Sequence, residues 1–228
     1  MGKVIADLAS SAASATFNVE NAASSVNYVL SKTDGSANDH LKTDGAGNLA
    51  WVAAPSGGLS HYSQWRLNAN FTGDKIPIDG TLLEAVIAAD PQTSTDSPTS
   101  STAVGSPMTY DDSTGVFTFP ATGYWNILFH VNWLGNSNID YLKGSIAGTT
   151  DDSSYNIFAV TRTASQKATV DDIYIQATTE VLFDITDTST HKVRFEIDVE
   201  TGTPTCLGVA SGSGHNRTFM TFAKIADT

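Results

Sequence analysis

From Tyr124 to Trp133 the chain alternates without a break. Trp125, Ile127, Phe129, Val131 and Trp133 fall on odd positions, and Tyr124, Asn126, Leu128, His130 and Asn132 on even ones. A period of two sends successive side chains to opposite faces of a strand. A strand with two Trp and one Phe on the same face needs a second layer to cover that face. Val193, Phe195, Ile197 and Val199 repeat the pattern against Lys192, Arg194, Glu196 and Asp198. Shorter runs follow at Tyr155/Ile157/Ala159, Ile173/Ile175/Ala177 and Val181/Phe183/Ile185, separated by turn-forming stretches such as Asp111–Gly115, Asp151–Ser153 and Thr201–Gly202. Asp and Gly favour such turns because one bonds its own backbone and the other accepts positive φ. Strands at this spacing predict an all-β sandwich or jelly roll over residues 59–228, which is long enough for one full core.

One segment reads two ways. Thr81 to Glu84 has the form of a helix capping box, with Ala85 to Ala89 as its continuation and Pro91 as its stop. The surrounding strands favour an irregular edge strand over 81–90 instead. Residues 91–106 are rich in Ser, Thr and Pro and read as an exposed loop.

The first 58 residues differ in character. Residues 1–28 are rich in Ala and Ser with scattered apolar positions and, at most, a weak amphipathic helix over 3–12. They cannot bury enough surface to fold alone, so they read as a segment that docks on another protein. Residues 29–58 hold a repeat: Lys32-Thr33-Asp34-Gly35 returns as Lys42-Thr43-Asp44-Gly45. Each copy reads as a short strand and a tight turn, and two copies are too few for a solenoid. A short stalk in which several chains share an apolar axis fits better, with Pro55 to Gly58 as a hinge.

Composition narrows function. The chain of 228 residues has 12 Lys+Arg against 24 Asp+Glu, a net charge of −12, and is only 16% charged. It offers no basic cluster for nucleic acid. No stretch approaches the roughly 20 apolar residues of a bilayer span. The N-terminus lacks the apolar h-region of a secretory signal, so synthesis in a cytoplasm is expected. The single cysteine, Cys206, excludes an internal disulfide and reads as a small core residue.

Chemistry finds few candidates. There is no Gly-x-Ser-x-Gly, and the glycine-rich run from Ser211 to Gly214 beside His215 reads as a loop. His40, His61, His130, His191 and His215 share no metal-ligand spacing. His130 lies on the strand face opposite the core aromatics, which suits a solvated or interface role. Three acidic pairs, Asp111/Asp112, Asp151/Asp152 and Asp171/Asp172, are candidates for calcium, a hard cation that takes several loop oxygens. Turn capping is the plainer explanation for them, and no cofactor is expected otherwise. Tyr62, Trp65, Tyr141 and Tyr155 are candidates for stacking on sugar rings, beside the ordinary alternative of packing.

The run from Tyr110 to Ile127, with its turn at Gly115, then Val116, Phe117, Thr118, Pro120, Gly123 and Trp125, resembles the central signature of the C1q/TNF-like jelly roll. Thr218 to Phe222 resembles the final strand of that family. The segment from Leu41 to Trp51 is similar to segments of bacteriophage fibre and appendage proteins. These resemblances imply a homotrimer, with Trp65, Tyr124, Trp125, Trp133 and Phe222 available for its interface or core. They also imply a non-enzymatic virion protein: a short fibre or decoration on a capsid or tail, tied to other virion proteins through residues 1–28 and contacting a host-surface glycan or protein. A free carbohydrate-binding lectin is the alternative, and a polysaccharide depolymerase a more distant one.

Overall fold

The computed structural model describes residues 16–19, 26–29, 34–46, 48–53, 59–86, 104–135, 138–166, 172–199, 203–210 and 215–228. The expected helix at 3–12, most of the docking segment, the hinge at 55–58, most of the 91–106 loop, Asp171 and the Ser211–Gly214 run lie outside them. The chain divides into two compact units, Met1–Gly58 and Leu59–Thr228.

The first unit has two hairpins. β1 (Thr16–Val19) pairs antiparallel with β2 (Val26–Val29), and β3 (Asp39–Thr43) with β4 (Leu49–Ala53). The second copy of the repeat makes the β3–β4 turn. Asp44 Oδ1 accepts the backbone N–H groups of Ala46 and Asn48, and its Oδ2 accepts the Asn48 amide at 2.6 Å. These bonds hold the Asp44 carboxyl below its ordinary value. The first copy does not close a hairpin in the same way: Asp34 and Gly35 instead lead into β3. Leu41 and Trp51 face each other across the hairpin, and both are exposed.

The second unit is a two-layer sandwich. Its strands are β5 (His61–Leu67), β6 (Phe71–Thr72), β7 (Leu83–Val86), β8 (Thr109–Asp111), β9 (Val116–Thr118), β10 (Gly123–Gly135), β11 (Ile139–Thr149), β12 (Asn156–Ser165), β13 (Ile173–Ile185), β14 (Lys192–Val199), β15 (Thr205–Cys206) and β16 (Phe219–Ala226). In sheet one, β10 pairs along its whole length with β13 on one side. Its other side pairs with β16 over most of its length and with β15 near its end. β16 then pairs with β5, β5 with β7, and β15 with β6. Sheet two runs β12-β11-β14-β9-β8. Every named pair is antiparallel.

The ambiguous segment resolves into a 3-10 turn at Gly80–Leu82 followed by the edge strand β7. Glu84 does not cap a helix there. Its carboxylate receives the Arg66 Nε–H at 2.8 Å.

The core lies between the sheets. The odd residues of β10, Trp125 to Trp133, are fully buried, and Phe195 and Phe222 meet them from β14 and β16. Phe117, Phe195 and Phe222 form a ring cluster with centroids 5.1–5.7 Å apart, a range that gives aromatic pairs a further attraction beyond their burial. Two glycines set the close fit. A Cβ on Gly144 would lie 3.0 Å from Val131 across the layers, and Gly115 sits at φ 71° with the Ile78 carbonyl 2.6 Å from where a Cβ would be.

Candidate functional site

The odd face of β10 is spent on the core, so its even face is where sheet one meets its surroundings. That face carries Tyr124, Asn126, Leu128, His130, Asn132 and Leu134. The register sets Asp184, Leu182, Glu180, Thr178, Gln176 and Tyr174 of β13 opposite them in turn. On the other flank, Ala223, Thr221 and Phe219 of β16 stand opposite Asn126, Leu128 and His130, and Tyr62, Gln64 and Arg66 of β5 lie beyond them.

The face mixes polar and apolar groups, with its exposed apolar side chains towards its ends. Tyr124 is 38% exposed, Leu182 56% and Ile225, at the irregularity near the end of β16, 58%, all at one end, and Tyr174 is 67% exposed at the other. Contiguous exposed apolar groups such as the first three mark an interaction surface more often than single scattered ones do. Two polar atoms on the same face point the same way. Asn132 Oδ1 and Asp184 Oδ1 are shielded from solvent and have no hydrogen-bond partner among the described residues. Native proteins leave few such atoms unpaired.

Towards β5 the face becomes polar and self-contained. Arg66, only 3% exposed, donates to Glu84, to the His215 carbonyl at 3.1 Å and to Asn216 Oδ1, while the Asn216 amide donates to Gln64. This network ties residues 215–216 to β5 and β7 and borders the apolar area.

His130 sits in the middle of the face. Its ring stacks near Phe219 with centroids 5.0 Å apart, and Nδ1 lies 2.8 Å from Thr178 Oγ1. Burial holds its pKa below the ordinary histidine value.

The structure redistributes the other candidates. Trp125, Trp133 and Phe222 are fully buried inside the protomer, because odd β10 residues and even β16 residues turn towards sheet two. Trp65 also turns inward, against Tyr110 and Phe117 at 5.4 and 5.2 Å. Trp125, Trp133 and Phe222 lie out of reach of a second copy, Trp65 is only partly exposed, and Tyr124 alone of the five is exposed. The proposed sugar-stacking tyrosines are not bare loop rings either. Tyr62 is half-buried on β5, and that burial raises its pKa. Tyr141 hydrogen-bonds Asp198 from β11, and Tyr155 lies under the Arg194 guanidinium at 4.3 Å.

Two of the acidic pairs supply a turn cap through their first member. Asp111 accepts Ser113 N–H and Oγ–H. Asp151 accepts the Thr149 hydroxyl and the Ser153 and Ser154 N–H groups, which pull its pKa down. Asp152 takes positive φ in that turn, and Asp112 lends its carbonyl to Gly80 N–H. Asp172 is exposed. The described residues contain no group of three or more His, Cys, Asp or Glu placed to hold a metal. Cys206 is buried, with its thiol pushed up to about 12 by desolvation, which removes it as a nucleophile.

Tyr174, Leu182, Phe219 and Ile225 escaped the sequence reading. The available signal was their alternation with the buried positions of β13 and β16.

No protein-family model and no curated protein matches the sequence. Solved structures do match the fold. The Eiger TNF of S. frugiperda aligns over 75% of this chain and 96% of its own, with 12% identity and a TM-score of 0.50. Murine APRIL, crystallised at pH 5.0, aligns over 72% and 98% with 9% identity and a TM-score of 0.44. The fold is all-β, a sandwich of the TNF-like jelly-roll type.

Proposed function

We propose that this jelly roll is a non-enzymatic binding and structural module that works as a homotrimer, assembled through the outward face of sheet one. The observation that carries the reading is the group of Tyr124, Leu182 and Ile225 exposed at one end of the sheet-one face, with Tyr174 exposed at its other end. A second observation supports it. Among the described residues, β12 and β13 each have only one strand neighbour. β12 carries one charge, Arg162, β13 carries two, Glu180 and Asp184, and neither has a proline. The two strands pack on each other through Phe158 and Phe183, yet neither has a second ladder partner, and long, weakly charged strands of that kind can take one. The edge of one copy against the sheet-one face of the next is a contact between two different patches, the type that builds a ring when its rotation closes. Three members is the number that the C1q/TNF resemblance implies.

At a finer level, we read the protein as a short fibre or decoration on a virus particle. The likeness of residues 41–51 to phage appendage segments supports this, as does the exposed Leu41/Trp51 face of the β3–β4 hairpin. A two-stranded hairpin is marginal alone in water, which suits a stalk shared between copies. The jelly roll then faces outward, towards the host surface, with residues 1–28 docked on the particle.

Light scattering on the whole chain tests the assembly, with a trimer expected at micromolar concentration and a monomer contradicting it. Immunogold labelling of intact particles with an antibody against the chain tests the placement, and unlabelled particles would remove the fibre reading.

A further inference from the structure

We propose that the sheet-one face is a proton-sensitive contact, in which His130 acts as the switch that opens the assembly as the medium acidifies. The proposal rests on the trimer reading above and adds its regulation. His130 is central on the face, flanked by Leu128 and Asn132 on its own strand and by Thr178 and Phe219 on the strands beside it. Its ring is held by the hydroxyl at 2.8 Å and the aromatic contact at 5.0 Å. A further copy laid on this face would bury it more.

The surroundings favour a neutral ring. On β13 the side chains of this face nearest Thr178 are Gln176 and Glu180, and Glu180 stands opposite Leu128 rather than His130. On β16 they are Phe219 and Thr221. Beyond Phe219 lies Arg66 of β5, which disfavours a second positive charge, and it is bound to Glu84 of β7. Among the described residues no carboxylate bonds either ring nitrogen. A protonated ring would have to donate from both nitrogens, and Thr178 receives only one of them.

The sign follows from this. Burial within the protomer already lowers the His130 pKa, and a copy laid over the ring would lower it further, so the neutral ring belongs to the assembled state. The contribution of His130 to assembly is complete above the free protomer's lowered pKa and is lost as pH falls through the still lower one of the assembled state. Each ring carries three copies, so the effect repeats within one assembly.

The test is sedimentation of the whole chain between pH 7.5 and pH 5.0, with near-ultraviolet circular dichroism to report the protomer fold. His191 stacks on Phe183 within the core, so the fold must be followed independently. The wild type should be trimeric at pH 7.5. At pH 5.0 it should dissociate at roughly tenfold or more higher concentration, with its dichroism retained. His130→Phe keeps the stacking and cannot titrate, so it should stay trimeric at both values. His130→Gln keeps a partner for Thr178 and should behave likewise, and it serves if the Phe variant fails to fold. A wild type that is monomeric at pH 7.5 overturns the trimer reading itself. A wild type trimeric at both values, or acid dissociation that persists in both variants, overturns the switch alone.

Discussion

The outward faces of the two sheets are built from the same strand geometry and end differently. On sheet two, charge meets charge: Lys143 pairs with Asp198 at 3.1 Å, Arg194 with Glu196 at 2.9 Å, and Arg194 also covers Tyr155. Lys192 caps the Thr188 carbonyl. That face pairs most of its charges within the protomer, although Ser145 Oγ, opposite Glu196, has no hydrogen-bond partner among the described residues and Val160 is exposed beside it. Sheet one presents Tyr174, Leu182 and Tyr124 instead, with Asn132 and Asp184 each holding an oxygen unpaired. One face pairs most of its charges within the protomer, and the other is the face that we propose a second copy covers.

Substitutions graded by face sharpen or break this contrast. The largest effect belongs to the shared core. Trp125→Ala should cost about 3–5 kcal/mol in chemical denaturation, because a fully buried ring leaves a cavity, and assembly should go with it. Arg66→Ala should cost about 2–3 kcal/mol, since Glu84 and the His215 carbonyl lose a buried donor. Urea midpoints report both.

Leu182→Asp should leave the protomer's urea midpoint nearly unchanged while weakening association by about 2 kcal/mol, near thirtyfold in concentration. An unchanged association constant would mean that sheet one is no more committed than sheet two. Asp198→Asn, on the sheet-two face, should cost at most about 1 kcal/mol and leave association intact.

The smallest effect is confined to acid. Hydrogen bonds lower the Asp151 pKa, so its contribution is present above the ordinary carboxylate value and fades as pH falls below it. Melting curves below pH 4 should therefore converge for wild type and Asp151→Asn, with the variant melting lower at neutral pH.

Part of this contrast was legible in residues alone. The alternation from Tyr124 to Trp133 separates core from surface, because a strand allows no other assignment once its odd face holds two Trp. The turn acids were also readable, since Asp followed by Ser or Gly caps its own backbone. Other features depend on partners far away in sequence. Thr178, Thr179 and Glu180 look like a break between two short strands, yet they lie within β13 because their backbone pairs with Leu128, Phe129 and His130. Trp65 reads as a surface ring until Tyr110 and Phe117 close over it. The capping box at Thr81 fails because Arg66 claims Glu84. Local pattern sets the face of each strand, but long-range pairing decides what that face meets.

The central claim is that sheet one is completed by copies of the same chain. Sedimentation equilibrium of the whole protein at pH 7.5 and micromolar concentration tests it most directly. A single species at three times the chain mass of 24.0 kDa is the result expected. A species at 24.0 kDa across that range would contradict it, leaving Tyr124, Tyr174 and Leu182 as a face for a different partner.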